Sequence, residues 1–365
     1  MSARTTPPFR ADHVGSLLRT APLKEARAKH AKGEIEATLK AVEDREIEKV
    51  IKKQEEVGLK LATDGEFRRS WWHFDFFKGL KGVEMISAPP IKFHGVETKA
   101  EAIKINGKVD FAGHPHIEHF KFLKAHCKVT PKMTIPAPSA IYGRPVPLPI
   151  DKAVYPTLDA FFADLGAAYR KAVRAFADAG CRYLQLDEVF IAMLCDPKYR
   201  AQMKDRGDDP EALGRIYGDL INEAIADIPA DMTVTMHLCR GNYKSTFLGA
   251  GGYDTMQEVL FDRIKVHGYF MEYDTDRAGG FEPLRRLQKD RIAVLGLVTS
   301  KTGTLEAKDA VKRRIEEAAK FAELDQLCLS PQCGFASTEE GNTLGEDEQW
   351  AKLRMIGEIA KEVWG

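Results

Sequence analysis

Charge of one sign, long apolar runs and cysteine are all scarce in this 365-residue chain. Its 54 basic residues balance 54 acidic ones, which argues against attachment to nucleic acid or anionic lipid through bulk charge. No uncharged apolar run approaches the ~18 residues needed to span a bilayer. The stretch from Met1 to Arg10 holds two Pro and two Arg, and it lacks the apolar segment of a secretory leader. Six cysteines are too few for a disulfide scaffold, so a cytoplasmic setting is expected, with thiols serving as core residues, nucleophiles or metal ligands. No Gly-x-Gly-x-x-Gly follows an early strand, which removes support for a dinucleotide fold.

What is present is an alternation of apolar β-type runs with amphipathic helical stretches. Hydrophobic residues make up 44% and charged residues 30%, and the length exceeds the ~150-residue prior for one domain. Leu158, Phe162, Leu165, Tyr169, Val173 and Phe176 follow helical spacing up to Gly180. Leu353, Ile356, Ile359 and Val363 do the same near the C-terminus. Glu43–Glu56 and Ala307–Phe321 are rich in helix formers. Between helices, strands are expected at His13–Gly15, Lys60–Thr63, Val129–Ile135, Tyr183–Leu186, Thr233–His237, Tyr269–Glu272, Ile292–Val298 and Gln326–Ser330. Eight strands alternating with helices imply a (β/α)8 TIM barrel formed by residues 1–365 as one domain. An insertion over 67–128 would carry a helix, an aromatic cluster (Trp71, Trp72, Phe74, Phe76, Phe77) and a hairpin around Asn106-Gly107. A doubly wound open sheet remains the rival, because periodicity alone does not separate the two.

In a barrel, chemistry sits at the C-terminal ends of the strands. The fifth strand ends with His237 and Cys239, two residues apart and therefore on one face of an extended chain. The sixth ends at Glu272, and Cys333 follows the eighth. Nitrogen and sulfur donors of this kind suit Zn2+, giving a candidate site of His237, Cys239, Glu272 and Cys333. The competing reading is that isolated thiols such as Cys127, Cys181, Cys195 and Cys328 are small core residues. Other strand ends carry Val14-Gly15-Ser16, Asp64-Gly65-Glu66, Asp187-Glu188 and Lys301. These are either binding groups or, more plainly, helix caps and solvated charges. His114, His116 and His119 form a rival metal cluster whose Gly/Pro setting reads as a solvated loop.

The pieces His13-Val14-Gly15-Ser16, Asp64-Gly65-Glu66, Leu184-Gln185-Leu186-Asp187-Glu188, His237-Leu238-Cys239 and Pro331-Gln332-Cys333-Gly334 span most of the chain. Together they resemble the C-terminal catalytic barrel of cobalamin-independent methionine synthase and its single-barrel relatives. The resemblance implies zinc on His237, Cys239, Glu272 and Cys333; of these, Glu272 is expected to yield its place to the incoming thiol, since a hard carboxylate competes less well for the metal than a thiolate. It also implies that Val14, Gly15, Ser16, Glu66 and Asp187 hold the amino-acid end of homocysteine. Lys301 stands where the family has a histidine, and a methyl-folate donor would need a general acid; Asp187 and Lys301 are the catalytic candidates, with Glu188 open beside them. The chain has no room for the family's second, N-terminal barrel, which weakens a direct transfer of the folate-dependent reaction; the methyl donor is expected to be a methyl-folate or methylcobalamin, and a homo-oligomer is admitted. Single-barrel relatives also include epoxyalkane:coenzyme M transferases, so alkylation of another small thiol is the alternative reading. A non-catalytic zinc- or thiol-binding protein is a third. A barrel decarboxylase of the uroporphyrinogen type needs no metal and would leave the strand-end thiols unexplained.

Overall fold

A computed structural model describes residues 4–34, 36–89, 92–93, 96–97 and 101–365. The chain enters through an extended segment in which Ala11 bridges in parallel to Leu329. Two helices follow, α1 (Ala21–His30) and α2 (Glu36–Glu56), and then the short strand β1 (Leu61–Ala62). Next come α3 (Phe74–Phe77), β2 (Lys81–Ser87), β3 (Lys92–Phe93), β4 (Val96–Glu97), β5 (Glu101–Asp110) and α4 (Pro115–His126). The chain then returns through β6 (Thr130–Pro131) and β7 (Met133–Pro136). The remainder alternates: α5 (Leu158–Asp178), β8 (Tyr183–Glu188), α6 (Phe190–Met193), α7 (Pro197–Arg206), α8 (Pro210–Ala224), β9 (Thr233–Leu238) and β10 (Gly268–Glu272). It closes with β11 (Ile292–Val298), α9 (Lys308–Ala318), β12 (Leu327–Pro331) and α10 (Glu346–Trp364).

Strands β7 to β12 form one parallel sheet in sequential order. Strand β1 pairs in parallel with β6, which leads through Lys132 directly into β7. The result is a mixed α/β fold with a parallel sheet. The five later strands fall within two residues of their expected bounds, because they are apolar runs buried along their length. The expected strand at 13–15 does not form: only Ala11 bridges, with Asp12 N donating to Leu329 O at 3.0 Å and Leu329 N to Arg10 O at 2.9 Å. The stretch over 60–63 keeps two residues of strand, and that over 129–135 divides at Lys132.

Helix α5 buries the expected stripe except Leu158, which is 41% exposed. It ends at Ala179-Gly180, where Gly180 at φ +91° turns the chain back. Between β1 and β6 the antiparallel pair β2–β5 and helix α4 are present. The turn is not at Asn106-Gly107, however. Those residues lie inside β5, opposite a register shift at Gly82. Gly82 has φ +73°, and a Cβ there would stand 2.4 Å from Gly107 O, so the glycines permit a bulge rather than a turn. Among the described residues no helix is long and apolar enough to cross a membrane, and all six cysteines are free thiols.

Candidate active site

The C-terminal edge of the sheet collects the chemistry. On β9, His237 is in register with Asp187 on β8 and Phe270 on β10. Cys239 follows the strand, its N–H donating to Glu188 O at 3.4 Å. Cys333 follows β12 in a loop that Gln332 N anchors to Val298 O at 2.8 Å. The two thiol-bearing loops are tied together by Asn242, whose Nδ2 donates to Gly334 O at 2.8 Å. Consequently His237, Cys239 and Cys333, all buried, bring one donor atom each within 4.8 Å of one another. The sulfurs are 3.5 Å apart, and neither ring nitrogen of His237 has a hydrogen-bond partner. The Cys239 thiol and the His237 ring hold the Cys333 thiol well below its usual pKa, against burial. The bond to Cys333, together with burial, pushes the Cys239 thiol well above its own. Two buried thiols and an orphaned imidazole are a donor set that fits zinc.

Glu272 does not join this trio. Its carboxylate accepts from Arg240 N at 3.1 Å and pairs with Arg277. Burial would raise its pKa, but the charges of Lys301, Arg277 and Arg240 outweigh burial and hold it low. Lys301 is buried, its Nζ without a hydrogen-bond partner.

A cavity of about 570 Å³ opens onto the three donors. Val14, Ser16, Glu66 and Asp187 line it together with them, whereas Gly15, Glu272 and Lys301 do not line it. Gly15 is required by closeness: at φ +138° a Cβ would lie 2.6 Å from Thr134 Cγ2. Glu66 takes a left-handed conformation, φ 62°, uncommon for a residue with a Cβ. Its Oε1 accepts from Thr134 Oγ1 at 2.8 Å, while Oε2 has no hydrogen-bond partner and lies 3.4 Å from Arg69. Burial and the Glu66 charge push the Asp187 carboxyl up to about 7. Glu188 is also pushed to about 7 by burial, but it faces elsewhere, accepting from Ser139 Oγ and from the N–H groups of Phe190 and Ile191 at 2.7 and 2.8 Å.

Several residues carrying this arrangement escaped the sequence reading. Gln185 donates to Val14 O at 2.6 Å and to Asp187 Oδ1 at 2.7 Å; its place two residues before Asp187 was the available signal. The fully buried Arg19 donates to the carbonyls of Leu17, Gly65, Glu66, Arg69 and Ala336 at 2.7–3.4 Å. It thereby clamps three loops that carry Ser16, Glu66 and the segment after Cys333, and nothing in its sequence context announces this. Trp71, Trp72 and Phe74 turn out to wall the cavity. The rival histidines are not a solvated loop. His114 caps α4, its Nδ1 accepting from His116 N at 3.1 Å and its Nε2 lying 3.0 Å from Phe76 O. His116 is buried beside it. Among the described residues they form no ligand trio.

The family model described as the catalytic domain of cobalamin-independent synthase matches residues 155–362. The Bacillus subtilis proteins YxjH and YxjG are 53% and 52% identical, over 98% and 99% of this chain and 95% and 96% of theirs. A crystal structure from Listeria monocytogenes, described as a putative vitamin-B12 independent methionine synthase, is 44% identical with a TM-score of 0.79, covering 99% of both chains. With these matches, the chain belongs to the cobalamin-independent methionine synthase family and is a methyltransferase of that type.

Proposed function

We propose that this protein transfers a methyl group to the sulfur of homocysteine, giving methionine, with zinc held by His237, Cys239 and Cys333. The convergence of those three donors on a cavity that Glu66 and Asp187 also line carries the reading, and the Listeria relative's description supports it. The architecture is read as a single closed (β/α)8 domain over 1–365. Residues 67–128 are the insertion, the short β1–β6 pair and the Ala11 bridge extending the sheet on its two sides. A reducing, cytoplasmic setting suits six free thiols.

Zinc at this site would lower the pKa of the substrate thiol so that a thiolate nucleophile exists at neutral pH. The remaining tasks fall to the chain. Glu66 lines the cavity and would receive the substrate ammonium, with Asp187 beside it accepting from that ammonium before it is protonated for transfer, while Ser16 and the backbone around Gly15 would receive the carboxylate. A donor nitrogen needs a proton to leave; Asp187, with a pKa near 7 and lining the cavity, is placed to give it. Lys301 does not reach the cavity, yet its charge acts on both thiols and on Glu272, making it an electrostatic support. Glu272 is assigned outside the ligand set, held by Arg277, which leaves three protein donors and an open place, as catalytic zinc requires. The acidic wall also favours an aminothiol over coenzyme M, whose sulfonate would meet like charge.

The test is methyl transfer by the purified chain with homocysteine or coenzyme M as acceptor and methyl-folate or methylcobalamin as donor. Cys239→Ser and Cys333→Ser should each lose bound zinc and about a thousandfold or more in rate, the scale on which a step depends on one activating group. Full turnover in verified metal-free protein would falsify the reading.

A further inference from the structure

The backbone of the entry segment, where the expected first strand does not form, divides sharply between its two kinds of polar group. Every carbonyl from His13 to Leu17 has a donor. Lys132 Nζ donates to His13 O, Gln185 Nε2 to Val14 O and Thr63 Oγ1 to Gly15 O, each at 2.6 Å. Phe335 N donates to Ser16 O at 3.0 Å, and Arg19 to Leu17 O at 3.1 Å. The N–H groups are used only at the two ends. His13 N donates to Asp12 Oδ1 at 2.8 Å and Leu17 N to Gly65 O at 3.0 Å. Among the described residues, the N–H groups of Val14, Gly15 and Ser16 donate to none. Asp12 to Arg19 are all buried, a setting in which an N–H without an acceptor is rare.

The carbonyls held by side chains and the free N–H groups belong to the same peptides. His13 O shares an amide with Val14 N, Val14 O with Gly15 N, and Gly15 O with Ser16 N. In a planar trans peptide the two groups point in opposite directions, so holding the carbonyl aims the N–H of that plane the other way. A donor on the carbonyl also polarises the amide and strengthens its N–H as a donor in turn. The three side chains come from separate places: Thr63 follows β1, Lys132 lies between β6 and β7, and Gln185 is on β8. Each is itself fixed. Lys132 pairs with Asp12 at 3.1 Å and lies over the Phe270 ring, 3.9 Å from its centroid. Thr63 Oγ1 accepts from Gly65 N at 3.1 Å, and Gln185 Nε2 also donates to Asp187 Oδ1 at 2.7 Å. None of the three lines the cavity, whereas Val14 and Ser16 do.

We propose that Thr63, Lys132 and Gln185 are positioning residues for the acceptor: by gripping three successive carbonyls they present the N–H groups of Val14, Gly15 and Ser16 to the substrate carboxylate. They act through the backbone, without touching the ligand. The assignment rests on the proposed methyl transfer, because it takes the anion received there to be the carboxylate of homocysteine.

The experiment is a calorimetric titration of the zinc-loaded full chain with homocysteine and with 3-aminopropanethiol, which keeps the thiol and the ammonium and lacks the carboxylate. Wild type should bind homocysteine the more tightly. Thr63→Val, close in volume but without the hydroxyl, should weaken homocysteine about tenfold, the scale of a hydrogen bond to a charged group, and leave 3-aminopropanethiol within about twofold. Thr63→Ser keeps the hydroxyl and should restore the selectivity. Lys132→Met should repeat the pattern of Thr63→Val; should it fail to fold, the Thr63 pair decides alone. Equal binding of the two thiols by wild type overturns the proposal. So does a Thr63→Val that weakens both alike or neither, or a Thr63→Ser that restores nothing. If the variants lose the selectivity but no donor methylates homocysteine, the proposed function fails while the positioning stands. If wild type methylates homocysteine and Thr63→Val keeps its selectivity, the positioning fails while the function stands.

Discussion

Gly15 shows how much of this site depends on a single missing atom. A Cβ at Gly15 would come within 2.6 Å of Thr134 Cγ2 and 3.3 Å of Glu66 Oε1, at a φ of +138° that L side chains rarely adopt. Thr134 cannot yield freely, because its hydroxyl donates to Glu66 and its carbonyl accepts from Arg69. Gly15→Ala should therefore cost about 1–3 kcal/mol in stability, from overpacking and backbone strain. It should also raise the KM for the acceptor thiol by displacing Glu66. Thermal melts and steady-state kinetics at fixed donor check both, and an unchanged acceptor KM would detach Glu66 from amino-acid binding. The same scale explains what the sequence made legible. His237, Cys239 and Cys333 were visible because their type and strand-end position are both unusual. Arg19 was not, because a buried arginine acts through backbone carbonyls that no side-chain pattern records; Gln185, two residues before Asp187, left only its spacing as a sign.

At the scale of elements, the later strands could be read from apolar runs, while the early ones could not. The reason is visible in Gln54 of α2. Its Oε1 accepts from Thr63 N at 2.9 Å and its Nε2 donates to Thr63 O at 2.8 Å, so one side-chain amide takes the part of a neighbouring strand. Asp12 does similar work, accepting from Phe9 N at 3.0 Å and His13 N at 2.8 Å. Period and propensity report where a backbone could pair, not which side chain has already satisfied it. The bulge at Gly82 shows the same limit, since Asn-Gly chemistry suits a turn and here serves a close approach of two strands. Gln54→Leu removes the stand-in partner and leaves the Thr63 N–H and C=O, and the His13 ring that lies 2.9 Å from Gln54 Oε1, without it. The expected loss is about 1–3 kcal/mol per uncompensated buried group, read from urea unfolding with an unchanged m-value. A loss below the error of extrapolation would mean that water replaces the amide.

Across the whole molecule, the sheet interior and the insertion hold many ionisable groups away from water, and this fixes how stability responds to acid. Burial lowers the pKa of His13 to about 3 and of His114 and His119 to about 4. Burial, with nearby cations, lowers His73 and His116 well below the ordinary value. Unfolded, each histidine titrates near ~6.5. Between pH 6.5 and about 4 the unfolded chain therefore takes up protons that the folded chain refuses, and stability falls as pH falls. Asp187 and Glu188 act in the opposite sense. Their folded values near 7 lie above the unfolded carboxylate range, so over the same interval the folded chain holds their protons and gains stability as pH drops. Each fully effective group contributes up to about 1.4 kcal/mol per pH unit; His267 adds to the first side and Glu43, Asp274 and Glu346 to the second, and the strongly lowered histidines outnumber the two strongly raised carboxyls. Unfolding free energy should therefore decline steeply from pH 6.5 to 5. His116→Gln should flatten that slope by up to about 1.4 kcal/mol per unit, whereas Glu188→Gln should steepen it by a similar amount. Urea titrations across this range measure both slopes. A wild-type stability that rises on acidification would show that the carboxyls, not the histidines, dominate the buried charge of this fold.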